Sequence, residues 1–182
     1  MHHEVLALDQ GGRPSHWMTW EEAVVLKVKG LVAWHIGDEF DIHGGTSRLT
    51  GRQTVVTVPS VIAIKGQRVV SRVALTNPRL FKRDHHVCCY CGQQFPRGQL
   101  SREHILPVSR GGPDTWLNCA TACANCNNRK GARLPAEANM PLLYLPYEPN
   151  VAEALILSGR HIVADQMEFL VACLPKHSRA MA

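Results

Sequence analysis

Seven cysteines stand in the chain: Cys88, Cys89, Cys91, Cys119, Cys123, Cys126 and Cys173. Four of them form two Cys-x-x-Cys pairs, Cys88 with Cys91 and Cys123 with Cys126. Such a turn points both sulfurs to one side, so two turns can close a tetrahedral site around Zn²⁺. Cys89 competes with Cys88, but Cys89 and Cys91 leave only one residue between ligands, so Cys88 is the better choice. Four sulfur ligands leave no open position for a substrate, and the predicted zinc is therefore structural. An odd cysteine count, with no basic and apolar leader at the N-terminus, argues against a disulfide framework and for a reducing cytoplasmic setting. Cys119 and Cys173 lie in apolar company and are expected in the core.

Between the pairs stand polar residues with no evident structural purpose: Glu103, His104 and Asn118, joined by Asn127 just after the second pair. A carboxylate and an amide oxygen are hard ligands suited to Mg²⁺ or Mn²⁺. A neutral histidine beside them can take a proton from water. Apolar and polar residues alternate weakly up to Ile105, which predicts a short strand. Gly111-Gly112-Pro113-Asp114 signals a turn, and Trp116–Ala120 is expected to return as a second strand. Ala124–Lys130 reads as a short helix stopped by Gly131. Adjacent strand residues face opposite sides. Glu103 and His104 therefore need a bulge or a strand end to meet at one spot.

The combined pattern runs Cys88-x-x-Cys91, then Glu103-His104-Ile105-x-Pro107-x-Ser109-x-Gly111-Gly112, then Asn118-x4-Cys123-x-x-Cys126-Asn127-x-x-Lys130. It resembles the HNH endonuclease family, the ββα-metal nucleases, over roughly residues 83–133. The flanks Arg83-Asp84 and Pro135–Ala138 are similar to those of stand-alone bacterial members. The resemblance implies that His104 is the general base and that Glu103 and Asn127 hold the catalytic divalent metal. It implies that Asn118 ties down the loop and orients His104 through the backbone. It further implies a 3′-hydroxyl leaving group and a 5′-phosphate product. The residue before the histidine is usually Asp in that family and is Glu here, which shifts the carboxylate by one methylene.

The charge distribution supports a polyanionic partner. The 182-residue chain carries a formal +5, and residues 78–135 hold nine basic and three acidic side chains, so the rest is close to neutral. Arg110, Arg129 and Lys130 are expected to contact phosphates, with Lys130 on the same helix face as Asn127. DNA is the expected substrate, and RNA stays open. His85 and His86 are expected at the surface. A 45% apolar composition fits a globular chain. No apolar run reaches the roughly 18 residues a membrane helix needs.

Three segments are expected. Residues 1–77 form a small α+β region of unassigned role. In it, Val5–Leu8 is a strand, and Thr19-Trp20-Glu21-Glu22 is a capping box opening a helix over Trp20–Lys29. Further strands are expected at Leu31–Trp34, Thr54–Val58, Val61–Ile64 and Val69–Leu75. The acidic stretch Asp38–Asp41 is not expected to face DNA. Residues 78–140 are the zinc-stabilised ββα core, and residues 141–182 are a C-terminal extension of one or two helices interrupted at Gly159. The fold class is α+β. The leading function is metal-dependent cleavage of DNA. Its rivals are a catalytically silent zinc-stabilised nucleic-acid-binding module and the nuclease subunit of a phage or defence assembly. One HNH site cuts one strand, so a double-strand break requires a dimer, two encounters or an assembly partner.

Overall fold

The computed structural model describes residues 4–68, 72–159, 161–176 and 178–180. The elements begin with β1 (Glu4–Asp9), β2 (Pro14–Thr19), α1 (Trp20–Val28), β3 (Val32–Thr46) and β4 (Gln53–Ile64). They continue with α2 (Asn77–Arg83), β5 (Leu100–His104), β6 (Cys119–Cys123), α3 (Ala124–Lys130), α4 (Val151–Ser158) and α5 (Ala164–Ala172). The chain divides into two compact units. One is Met1–Ser71 with Val151–Lys176, and the other is Arg72–Asn150 with His177–Ala182.

The first unit is a sheet of order β2-β1-β4-β3, with β1 parallel to β4 and the other pairs antiparallel. Strand β1 is buried on both faces. Val5 and Ala7 enter one core, and Leu6 and Leu8 enter another. A strand covered on both sides reads as an unbroken apolar run, as β1 does. Helix α1 covers the first face through Ala23 and its neighbours. It starts at the predicted capping box. Thr19 Oγ1 accepts from the Glu22 amide at 3.3 Å, and the Thr19 amide donates to the Glu22 carboxylate at 2.9 Å. Helices α4 and α5, separated at Gly159, cover the second face through Ala152, Leu155 and Leu170.

These last helices correct the expected division of the chain. Residues 151–176 complete the N-terminal unit rather than forming an extension of their own. Residues 141–150 belong to the second unit, where the Leu143 amide donates to the Cys89 carbonyl at 2.8 Å. Strand β3 runs well past Trp34, because an antiparallel ribbon tolerates polar residues on both faces. The two strands expected around Pro59 are one, β4. Its proline lies just before the stretch, starting at Val61, that pairs with β1, so no bond to β1 is lost there. Strand β2 and helix α2 lie outside the expected elements. Of the strand expected at Val69–Leu75, residues 69–71 lie outside the described residues and the rest is not a strand.

In the second unit β5 and β6 form an antiparallel hairpin that leads into α3, giving the expected ββα order. The second strand starts at Cys119, not Trp116. Trp116 is instead buried with Leu80, Phe81 and Cys119, and its indole donates to the Val73 carbonyl at 2.7 Å. Arg83, only 1% exposed, ties these parts together. It pairs with Asp84 at 2.8 Å and donates to the carbonyls of Trp116, Cys119 and Tyr147. Asp84 in turn accepts from the Thr121 amide at 2.9 Å. A buried ion pair is stabilising only when its remaining hydrogen bonds are made, and this one makes them. Among the described residues no helix is long and apolar enough to cross a membrane.

Candidate active site

The sulfurs of Cys88, Cys91, Cys123 and Cys126 all lie within 4.8 Å of one another. The first pair turns at Gly92, whose φ of 71° favours glycine. The second pair opens α3, with the Cys126 amide donating to the Cys123 sulfur at 3.5 Å. Burial pushes the Cys88 thiol up, but backbone hydrogen bonds at Cys123, Cys91 and Tyr90 bring it down to about 7. Four thiols converging in this way fit Zn²⁺ and do not suit an oxygen-seeking ion such as Mg²⁺. The structure thus brings together the four ligands chosen from sequence. Cys89 packs in the adjoining core, where burial pushes its thiol up.

Glu103 and His104 do not meet. Their strand keeps regular pairing, Glu103 opposite Ala120 and His104 opposite Cys119, with no bulge. Their side chains therefore leave opposite faces of the hairpin. On one face, His104 Nε2 lies 3.0 Å from Asp114 Oδ1. Arg102, two residues back on the same face, places Nη1 at 2.6 and 2.5 Å from the two Asp114 oxygens. Arg102 holds the Asp114 carboxyl below the usual aspartate range, and the His104 hydrogen bond adds to this.

The loop between the strands is closed by Asn118. Its Oδ1 accepts from the Leu106 amide at 2.9 Å, and its Nδ2 donates to the carbonyls of Leu106 and Pro113 at 3.0 and 2.9 Å. The loop also passes so close to itself that a Cβ on Gly112 would collide with the Leu106 carbonyl. The tight loop sets where Asp114 stands.

On the other face, Glu103 is 2% exposed and Lys130 1% exposed. Lys130 Nζ reaches Glu103 Oε1 at 2.5 Å and donates to the His104 carbonyl at 2.9 Å. The Tyr90 hydroxyl donates to the same carboxylate oxygen at 3.1 Å. Lys130 is therefore not a phosphate contact; it is a buried strut between α3 and β5. Asn127 lies at the same interface, where its Nδ2 donates to Ser101 Oγ at 2.8 Å and to the Arg102 carbonyl at 3.4 Å. Arg129 is exposed. Arg110 is exposed and paired with Glu137 at 2.8 Å, and this bond lowers the Glu137 carboxyl.

Among the described residues, two donor sets besides the four-cysteine cluster bear on a metal. Glu103 and Asn127 share the β5–α3 interface, but the Lys130 ammonium already stands at the Glu103 carboxylate where a cation would bind. As arranged, they do not fit a divalent ion. His104, Asp114 and Cys119 bring ligand atoms within 4.8 Å of one another. There both Asp114 oxygens are engaged by Arg102, and the Cys119 thiol donates to Asp114 Oδ1 at 3.5 Å. This set is a hydrogen-bonded assembly around an imidazole rather than a cation cage.

Residues 88–143 match the family model described as HNH endonuclease. This segment is an HNH endonuclease domain. It contains the four-cysteine cluster and the hairpin bearing His104. The chain is also similar to the type IV methyl-directed restriction enzyme EcoKMcrA of Escherichia coli (strain K12), at 27% identity over 85 residues. That match covers 43% of this chain and 31% of the relative, so the chain spans only about a third of the relative's length. Within the HNH domain, sequence reasoning missed Asp114 and Arg102. Asp114 was visible only as a turn residue. Arg102 was counted only as charge, although its two-residue spacing from His104 put both on one strand face.

Proposed function

We propose that the chain is an endonuclease that hydrolyses phosphodiester bonds of DNA, with His104 as the general base. The observation that carries the reading is the bond between His104 Nε2 and Asp114 Oδ1 at 3.0 Å. An ionised carboxylate accepts only, so Nε2 carries the hydrogen and Nδ1 keeps its lone pair for a proton. The His104 side chain is 22% exposed, which leaves it open to water and substrate. A water deprotonated there attacks phosphorus, the bond to the leaving oxygen breaks, that oxygen takes a proton from solvent water, and the imidazolium returns its proton to solvent. By the family resemblance the leaving group is the 3′-hydroxyl.

Asn118 and Lys130 are positioning residues in this proposal. Asn118 fixes the loop that presents Asp114, and Lys130 fixes the main chain at His104. Exposed Arg110 and Arg129 are proposed phosphate contacts. A divalent ion would supply charge neutralisation at the phosphate, but Glu103 and Asn127 as arranged do not fit one. No step is assigned to Glu103 as its ligand, because Lys130 neutralises it. The restriction-enzyme relative supports DNA as substrate. The deciding assay is plasmid nicking with Mg²⁺, Mn²⁺ or a chelator, comparing the parent chain with His104→Ala. Loss of nicking with retained zinc supports the role, and unchanged nicking removes His104 from it.

A further inference from the structure

In the first unit, Ile42 of β3 and Val56 of β4 are the outermost residues of the pair that touch the core beneath α1. Past them, residues 43–55 are all exposed. They stay paired as a ribbon, His43 opposite Val55 and Thr46 opposite Gln53. The turn is closed by the Ser47 amide donating to the Arg52 carbonyl at 2.8 Å and the Gly51 amide donating to the Ser47 carbonyl at 2.9 Å. At about 3.3 Å per residue, the tip stands roughly 20 Å beyond the core.

The side chains on this arm are sharply sorted. Residues 43–55 include His43, Arg48 and Arg52 and no carboxylate, while Asp38, Glu39 and Asp41 stand at the root. At the apex, between the two arginines, Leu49 is 99% exposed. A single exposed leucine is ordinary on a broad surface. Here it caps a projecting ribbon whose charge is all positive. Such a ribbon fits a duplex groove, arginines flanking the tip can reach phosphates, and an apolar tip can press between base pairs. The acidic root limits how far the arm enters, because the phosphates repel it.

We propose that the β3–β4 arm is a duplex-DNA grip, with Arg48 and Arg52 on the phosphates and Leu49 wedged at a base step. This rests on the reading that the chain acts on DNA, and it assigns a task to the unit outside the HNH domain. The arm is exposed throughout, so substitutions in it leave the fold intact.

The test uses the full chain carrying His104→Ala, so that DNA is bound and not cut, with a short blunt duplex. Arg48→Ala with Arg52→Ala should weaken binding on the order of tenfold and flatten the log affinity against log salt slope by about 1.8, the value for two phosphates. Leu49→Ala should keep the slope but reduce duplex bending, read by energy transfer between end labels. Unchanged affinity and slope in the arginine variant overturn the proposal, as does failure of the parent chain to bind duplex. Bending unchanged by Leu49→Ala removes the wedge. A parent that binds and bends DNA through the arm, while the chain with His104 intact cuts no DNA, overturns the nuclease reading and leaves the arm standing.

Discussion

Asp114 Oδ1 stands 3.0 Å from His104 Nε2, and Arg102 grips both oxygens of the same carboxylate. The aspartate is thus anchored independently of the imidazole it orients. His104→Ala is expected to lower cleavage on the order of 10²–10⁴-fold, the usual contribution of a general base. Asp114→Asn should lower kcat by up to about 10⁴-fold, because the amide can hold the wrong tautomer. KM and zinc content should stay at parental values. A parallel rise in KM would show that Asp114 acts on binding instead.

The Glu103–Lys130 pair gives a sign-specific stability prediction. Both side chains are almost fully buried. Lys130→Met strands a buried carboxylate and should destabilise the domain by about 3–5 kcal/mol. Adding Glu103→Gln should recover a large part of that loss, since no unpaired charge then remains. Denaturant melts of the two variants measure the difference. Equal destabilisation would mean that Glu103 is not the group that Lys130 neutralises.

Zinc removal should unfold the second unit. Structural zinc sites contribute folding free energy directly, because the ligands converge only in the folded chain. Calorimetry with a strong chelator should therefore lose the transition of the HNH domain. The choice between neighbouring cysteines is tested in the same way. Cys88→Ser should cost the bound zinc, and Cys89→Ser should retain it. The reverse result would reassign the ligand.

In the first unit, Asp165 gives a pH prediction. Burial pushes its carboxyl up, but the Ser60 hydroxyl and the amides of Asp38 and Gln166 outweigh this and hold it below the ordinary aspartate range. A lowered folded-state pKa contributes stability that is present above the unfolded value, about 3.9, and is lost as pH falls through the folded value. Parent and Asp165→Asn should therefore differ in melting temperature at neutral pH, and the gap should close only below about pH 4. A gap that widens on acidification would contradict this linkage.

Much of the chain was legible because its signals are local. The cysteine pairs, the Thr19 capping box and the helix stop at Gly131 each depend on residues a few positions apart. Lys130 was misread because its partner, Glu103, is distant in sequence, and a lysine beside an arginine looks like a solvated charge. The opposite facing of Glu103 and His104 was already implied by strand alternation; the anticipated bulge was not needed. The assignment of α4 and α5 was invisible for the same reason of range. Trp17, for example, donates from its indole to the Leu155 carbonyl across 138 positions. Asp114 was hidden because an aspartate in a Gly-Gly-Pro-Asp turn already has a sufficient local explanation.

The return of Val151–Lys176 to the N-terminal unit has a consequence for synthesis. The ribosome completes the HNH segment, residues 88–143, before it releases the helices that cover Leu6, Leu8, Val61 and Ala63. Until then, the nascent sheet carries one bare apolar face. A transcript broken after codon 150 would encode every residue of the HNH motif on a partner unit that cannot close. Quality control that binds exposed apolar sheets would then remove the HNH segment together with the sheet that carries it.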